Sequence, residues 1–209
     1  MAYMDGMIQK YLDDAAAKLP APGGGSIAAM AGALGASMSA MVANFTIGKK
    51  RFADVEDEVK ALLEKVEAER KKLSELVDAD VAAYGTVSNA YGMPKETDEE
   101  KAARSAAIKD ACRVAMSAPM EAARSCAEVA GVCDRLVDIG NRNLITDVGV
   151  SVLAADAALK AAALNVEINL ASIGDDDFAE KTREELNALL ERVAAIETTV
   201  MDKVKAAIS

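Results

Sequence analysis

Histidine is absent from this 209-residue chain. That absence excludes a Ser-His-Asp triad, a histidine-ligated zinc site, HExxH chemistry and every imidazole acid or base. Any proton chemistry falls to Asp, Glu, Lys, Tyr or Cys. Tryptophan is also missing and aromatic residues make up 3% of the chain, so the interior cannot be built around large rings. Basic residues are in deficit, 24 against 34 acidic, for a formal charge of -10. Such a field repels phosphate backbones and argues against general nucleic-acid binding. Cysteine is scarce: Cys112, Cys126 and Cys133 are odd in number, lack CxxC spacing and fall near one face of a helical stretch. They read as core packing, with no metal-ligand assignment. With no secretory signal visible, they point to a reducing cytoplasm.

What the chain does have is alanine, about a fifth of all residues, which lifts the apolar share to 52%. Ordinary domains carry ~45–50%. A core of small side chains suits helices lying close together. The length fits one domain spanning residues 1–209. Leu19 to Gly48 holds no charged residue and is long enough to span a bilayer. Its Ala, Gly and Ser content, Pro20, Pro22 and the lack of an interfacial aromatic belt favour a central helix buried on every side instead. Small residues at spacing four (Gly25, Ala29, Ala33 and Ser37; Gly32, Ala36 and Ala40) admit close backbone approach and also suit a subunit interface.

Punctuation by Pro and Gly predicts an all-α, single-domain helical bundle. A short helix runs from about Asp5 to Leu19, and the charge-free helix runs from a Ser26 cap to Gly48. A long amphipathic helix carries Val59, Val66, Leu73, Val77 and Tyr84 and ends at Gly92 and Pro94. Thr97 with Glu100 reads as a capping box, Pro119 as a kink or division of the helix that follows, and Gly140 as its end. An apolar helix then spans about Thr146 to Ile173, and Asp177 with Glu180 reads as a second capping box before a final amphipathic helix.

Three polar clusters interrupt this pattern. In Pro20-Ala21-Pro22-Gly23-Gly24-Gly25-Ser26, adjacent glycines let the backbone approach either a ligand or a neighbouring helix, and the helix start offers amide donors. GxxxxGK[ST] is missing, so this is not a nucleotide P-loop. Asn44, Lys49, Lys50 and Arg51 form the basic end of the charge-free helix. They either offset its dipole or hold a carboxylate-bearing substrate, and a desolvated lysine can work as a base. Asn141, Arg142, Asn143 and Asp147, with Asn165 and Asn169 further on, form either a structural polar network or ligand contacts. Asp80 and Tyr84 are a further pair one turn apart, and periodicity places Tyr84 in the core.

The segments PAPGGGSIAAMAGALGASMSAMVANFTIGKKRF, AYGMPKETDEEKAAR, GNRNLITDVGVSVLAADA and ALNVEIN resemble the cyclodeaminase/cyclohydrolase family. That family includes methenyltetrahydrofolate cyclohydrolases and the cyclodeaminase half of formiminotransferase-cyclodeaminase. The likeness runs from about Tyr11 to the last helix, with PxPGGGS, GKK and GNxN in order. Arg51 stands where a third lysine is frequent and Thr146 where serine is usual, changes that keep charge or hydroxyl. The resemblance implies an all-helical homodimer, a tetrahydrofolate derivative as substrate, no tightly bound cofactor and no metal. It implies folate contacts at Gly24, Gly25, Ser26, Asn44, Lys49, Asn143, Asp147 and Asn165, with Asp80 and Tyr84.

The stand-alone module and its AYGMPKETDEEKAAR segment resemble the cyclohydrolases most, which implies hydrolysis of 5,10-methenyltetrahydrofolate to the 10-formyl product. The alternative is cyclodeamination of the 5-formimino compound, through a tetrahedral centre in nearly the same place. On this reading Lys49 shuttles a proton or orients water, Asp147 stabilises the amidinium charge, and Lys50 and Arg51 suit the glutamate tail.

Overall fold

The computed structural model describes residues 2–209. Among them all regular elements are helical: α1 (Ile8–Ala16), α2 (Gly24–Asn44), α3 (Glu56–Tyr91), α4 (Asp98–Ile139), α5 (Ile145–Ile173) and α6 (Asp176–Ile208). Short 3₁₀ turns occupy Tyr3–Asp5, Lys50–Val55 and Arg142–Leu144. Helix α2 packs on α3, α4 and α5, while α6 covers the outer side of α4 and α5.

Small residues set how close these helices come. A Cβ on Gly32 would lie 2.7 Å from Cys126 Sγ, and one on Gly35 would lie 3.0 Å from the Ser151 carbonyl oxygen. Between α2, α4 and α5, Ser39, Ser151 and Cys133 form a buried polar node, with the Ser151 hydroxyl donating to the Gly35 carbonyl at 2.7 Å. All three cysteines are free and buried, as their spacing predicts. Burial pushes the Cys126 thiol up to about 12, so it behaves as an inert small hydrophobe.

Local signals hold at the Thr97–Glu100 capping box and at Gly174, which ends α5 in the left-handed conformation with φ 63°. Other expectations need correction. Helix α1 is shorter than Asp5–Leu19. Helix α2 begins at Gly24, capped by Gly23, and stops at Asn44, so Ser26 lies inside the first turn and caps nothing. Pro119 does not divide α4; buried Met116, Met120, Ala122 and Ala123 on both sides hold the helix through the missing hydrogen bond. The last helix is capped by Asp175, whose carboxylate accepts from the Phe178 amide, and not by Asp177 with Glu180. Helix α2 is also not buried on every side. It is long and apolar enough to cross a membrane, with 61% of its apolar window inside the fold, but Leu34 is 56% exposed and Ile27 is open as well.

Candidate active site

Two helix faces and one helix start enclose a cavity of about 260 Å³. Helix α3 contributes Asp80, Tyr84, Val87 and Tyr91, and α5 contributes Asn165, Ile168, Asn169 and Ser172. Both sets recur at helical spacing, so each helix turns one continuous stripe to the cavity. Pro20, Gly23, Gly24 and Gly25 close the third side, and Cys112 and Ala115 of α4 form the base.

The glycines are there because of their neighbours. A Cβ on Gly25 would meet Asp80 Oδ1 at 2.1 Å, and one on Gly24 would meet both heteroatoms of the Asn165 amide at 3.0 Å. Gly23 has open space. The Ser26 amide donates to Asp80 Oδ2 at 2.9 Å, which ties the carboxylate to the first turn of α2. Burial pushes the Asp80 carboxyl above its ordinary value, and the Ser26 amide offsets part of that rise. The Asn165 side chain donates to the Ala161 carbonyl and the Asn169 side chain to the Asn165 carbonyl, each at 2.8 Å. Their amide oxygens are left for other donors.

Ser26 has a structural role beneath the cavity. Its hydroxyl donates to the Val77 carbonyl at 2.9 Å and meets the buried Tyr11 hydroxyl at 3.0 Å, joining α1, α2 and α3.

Helix α2 ends in a second cluster. There buried Asn141 organises the chain: its backbone amide donates to Thr46 Oγ1, its side-chain amide donates to the Phe45 carbonyl, and its Oδ1 accepts from Arg51 and from the Asn143 amide. Lys49 lies over the Phe45 ring at 5.5 Å, and Asn44, Lys49, Lys50, Arg51 and Asn143 are exposed. Asp147 is half-buried in the first turn of α5.

Of the expected site residues, the chain gathers Gly24, Gly25, Asp80, Tyr84 and Asn165 at the cavity. Asn44, Lys49, Lys50, Arg51, Asn143 and Asp147 sit at the opposite end of α2, whose 21 residues span about 30 Å. Tyr84 is 45% exposed and faces the cavity, contrary to the core placement its periodicity predicts. Beyond Asp80 the Tyr84 and Tyr91 face of α3 turns to the cavity, while Val87 still packs against the core and Ala90 is buried. Sequence reasoning missed Tyr91, Ile168 and Ser172, although Tyr91 repeats the Tyr84 position two turns on. It also missed a basic groove. Lys95, Lys101 and Arg104 line a second hollow that shares Ser172 with the cavity, and the Arg104 guanidinium donates to the Tyr91 carbonyl. Among the described residues no group of three Cys, Asp or Glu side chains converges to hold a metal ion.

The family model described as formiminotransferase-cyclodeaminase matches residues 7–188. The chain belongs to this family. It is 43% identical over 202 residues to a methenyltetrahydrofolate cyclohydrolase of Methylorubrum extorquens, covering 97% of both chains. It is 31% identical to the formimidoyltransferase-cyclodeaminase of Rattus norvegicus over 97% of its own length, but spans 38% of that longer protein. The crystal structure of a formiminotetrahydrofolate cyclodeaminase from Thermotoga maritima superposes with a TM-score of 0.87 at 29% identity, covering 98% of each chain. These family relatives are enzymes by name, and both clusters described above fall within the matched span.

Proposed function

We propose that this chain hydrolyses 5,10-methenyltetrahydrofolate to 10-formyltetrahydrofolate, with residues 1–209 acting as one domain and a homodimer as the working unit. The observation that carries the reading is Asp80: a carboxylate half-buried at a helix start, in a cavity walled by Tyr84, Tyr91 and Ile168. A flat, cationic ring system suits those walls, and its positive carbon suits that carboxylate. End-to-end identity of 43% with a cyclohydrolase selects hydrolysis over deamination.

The substrate is already electrophilic, so the protein has to place a water and move protons. Water adds to the amidinium carbon between N5 and N10, and its proton passes to Asp80 as the C=N electron pair moves onto nitrogen. Asp80 then returns that proton to N5 as the N5–carbon bond breaks, and the remaining hydroxyl proton leaves to solvent as the formyl carbonyl forms. One proton is released per turnover. A well-placed acid–base group contributes about 10²–10⁴-fold. The amide oxygens of Asn165 and Asn169 orient the water; Lys49 and Asp147, the acid–base and charge-stabilising groups suggested by the motif, lie about 30 Å away at the other end of α2 and so act at this cavity only from the second protomer of the homodimer. The groove of Lys95, Lys101 and Arg104 takes the carboxylates of the glutamate tail, a role that the sequence suggested for Lys50 and Arg51. Three free, buried cysteines suit a reducing compartment, and we place the enzyme in the cytoplasm.

Loss of methenyl absorbance on adding purified protein tests the reading. A rate no higher than the spontaneous one overturns it. The second reading, cyclodeamination, is favoured by the likeness to the Thermotoga maritima cyclodeaminase. Ammonia released from the 5-formimino compound, without methenyl hydrolysis, selects it.

A further inference from the structure

We infer that Ser172 reads the amide joining the benzoyl ring of the folate to its glutamate tail, its hydroxyl donating to the benzoyl carbonyl. This deepens the methenyltetrahydrofolate reading above and rests on it. Ser172 lines both hollows: the cavity, with Asp80 and Asn165, and the groove of Lys95, Lys101 and Arg104. It stands at the neck where a ring system bound in the cavity gives way to a tail bound in the groove. At that junction a folate carries one polar linkage, a secondary amide, and a hydroxyl can donate to its carbonyl. The Ser172 hydroxyl is free to do so. Ser37, Ser74, Ser117 and Thr182 turn their hydroxyls back onto carbonyls of their own helices. Among the described residues Ser172 has no such partner, although it is half-buried in the cavity wall. A sheltered hydroxyl without a protein partner takes one from solvent or from a ligand.

Length agrees with this assignment. Asp80 and Asn165 both lie against the first turn of α2. From there α3 leads to Tyr91, whose carbonyl accepts from Arg104, and α5 leads to Ser172, which shares a hollow with Arg104. Both helices therefore run from the reacting end of the cavity towards the basic groove. Asn165 and Ser172 are separated by two turns of α5, about 10 Å along the axis. In the substrate, ordinary bond lengths set the benzoyl carbonyl oxygen about 7 Å from the reacting carbon. One hydrogen bond adds about 3 Å. With the methenyl bridge at Asp80 and Asn165, the benzoyl ring lies between Tyr91 and Ile168 and its carbonyl meets Ser172. The contact is remote from the reacting carbon and is made equally in the ground and transition states, so it sets KM and not kcat.

The test compares Ser172→Val with Ser172→Thr, side chains of one shape that differ in the hydroxyl. Each variant is assayed with methenyltetrahydrofolate and with the methenyl analogue whose arm ends in plain phenyl. One neutral hydrogen bond corresponds to about 2- to 12-fold in an equilibrium constant. Ser172→Val therefore raises KM for the folate by that factor and leaves kcat unchanged, while KM for the phenyl analogue moves about 2-fold or less. Ser172→Thr stays near wild type with both. The factor is the same for mono- and pentaglutamate, because both carry the amide, and this separates Ser172 from the cations of the groove. No rise in KM, equal rises with the two substrates, or equal rises in the Val and Thr variants overturn the amide contact and leave hydrolysis standing. A second readout needs no turnover: the Kd of tetrahydrofolate, and of its phenyl-arm analogue, by titration calorimetry. If wild-type protein proves inactive towards the methenyl substrate, a rise in the tetrahydrofolate Kd confined to Ser172→Val still supports the contact, and its absence overturns it.

Discussion

Asp80 stands where a side chain on Gly25 would stand, its Oδ1 lying 2.1 Å and its Cγ 2.7 Å from the position a Cβ would take. Gly25→Ala therefore drives the carboxylate off the first turn of α2 and away from the Ser26 amide. Overpacking of this kind costs about 1–3 kcal/mol, and misplacing the acid–base group lowers kcat by about 10²-fold or more. Gly23→Ala is the contrast. Nothing lies within 4 Å of its Cβ position, and exchanging a glycine N-cap for alanine costs about 1 kcal/mol or less. Urea denaturation and turnover of both variants check the pair; a Gly25→Ala enzyme with wild-type kcat removes Asp80 from the mechanism.

Asp80→Asn separates stability from activity, and pH reveals the sign. Burial raises the Asp80 carboxyl above its ordinary 3.8, so the folded chain holds that proton more tightly than the unfolded one. The stabilisation this provides is complete below the unfolded value and disappears as pH rises through the folded value. Asparagine can still accept from the Ser26 amide but carries no charge. The variant's stability relative to wild type thus increases from acid towards neutral pH, while its turnover falls about 10²–10⁴-fold. Melting temperatures across that range check the slope, and a wild-type advantage that grows with pH contradicts it.

Ser26, Tyr11 and Val77 make a third case, one of stability without chemistry. Ser26→Ala leaves the buried Tyr11 hydroxyl without its partner at 3.0 Å, a loss of about 1–3 kcal/mol. In a Tyr11→Phe background the same change costs less, because the orphaned hydroxyl is gone. Chemical denaturation of the four proteins yields the coupling, and additive losses would show that the two hydroxyls act independently.

These cases also show what was legible in the sequence. Thr97 with Glu100 and the left-handed Gly174 were readable because each is decided within one helix turn. The buried cysteines and small-residue stripes were readable because burial follows helical period. Ser26 was not, since a serine at a helix start suits capping and tertiary bonding alike, and the choice depends on where Val77 and Tyr11 arrive. The partners of Gly24 and Gly25 come from α5 and α3, far along the chain, so the reason for the glycines appears only after folding. Motif order along the chain likewise hid that Lys49 and Asp80 occupy opposite ends of α2, because a motif carries no distance.

The groove beside the cavity predicts how the enzyme ranks substrates by tail length. Arg104 is held over the Tyr91 ring at 5.5 Å and donates to the Tyr91 carbonyl, which leads from the cavity wall into the hollow lined by Lys95 and Lys101. A tail leaving the cavity past Ser172 meets these cations in turn. A monoglutamate presents its carboxylates near the cavity mouth, whereas a polyglutamate adds further charges along the groove. Exposed ion pairs are worth about 0.2–1 kcal/mol each, so replacing Lys95, Lys101 and Arg104 together by alanine raises KM for a pentaglutamate about 3- to 150-fold. KM for the monoglutamate changes about 2-fold or less on the same scale, and kcat holds for both, because the cations act on binding and not on the reacting carbon. Added salt reproduces the effect in the wild type by screening the same contacts. Equal changes for the two substrates would place the tail elsewhere on the surface.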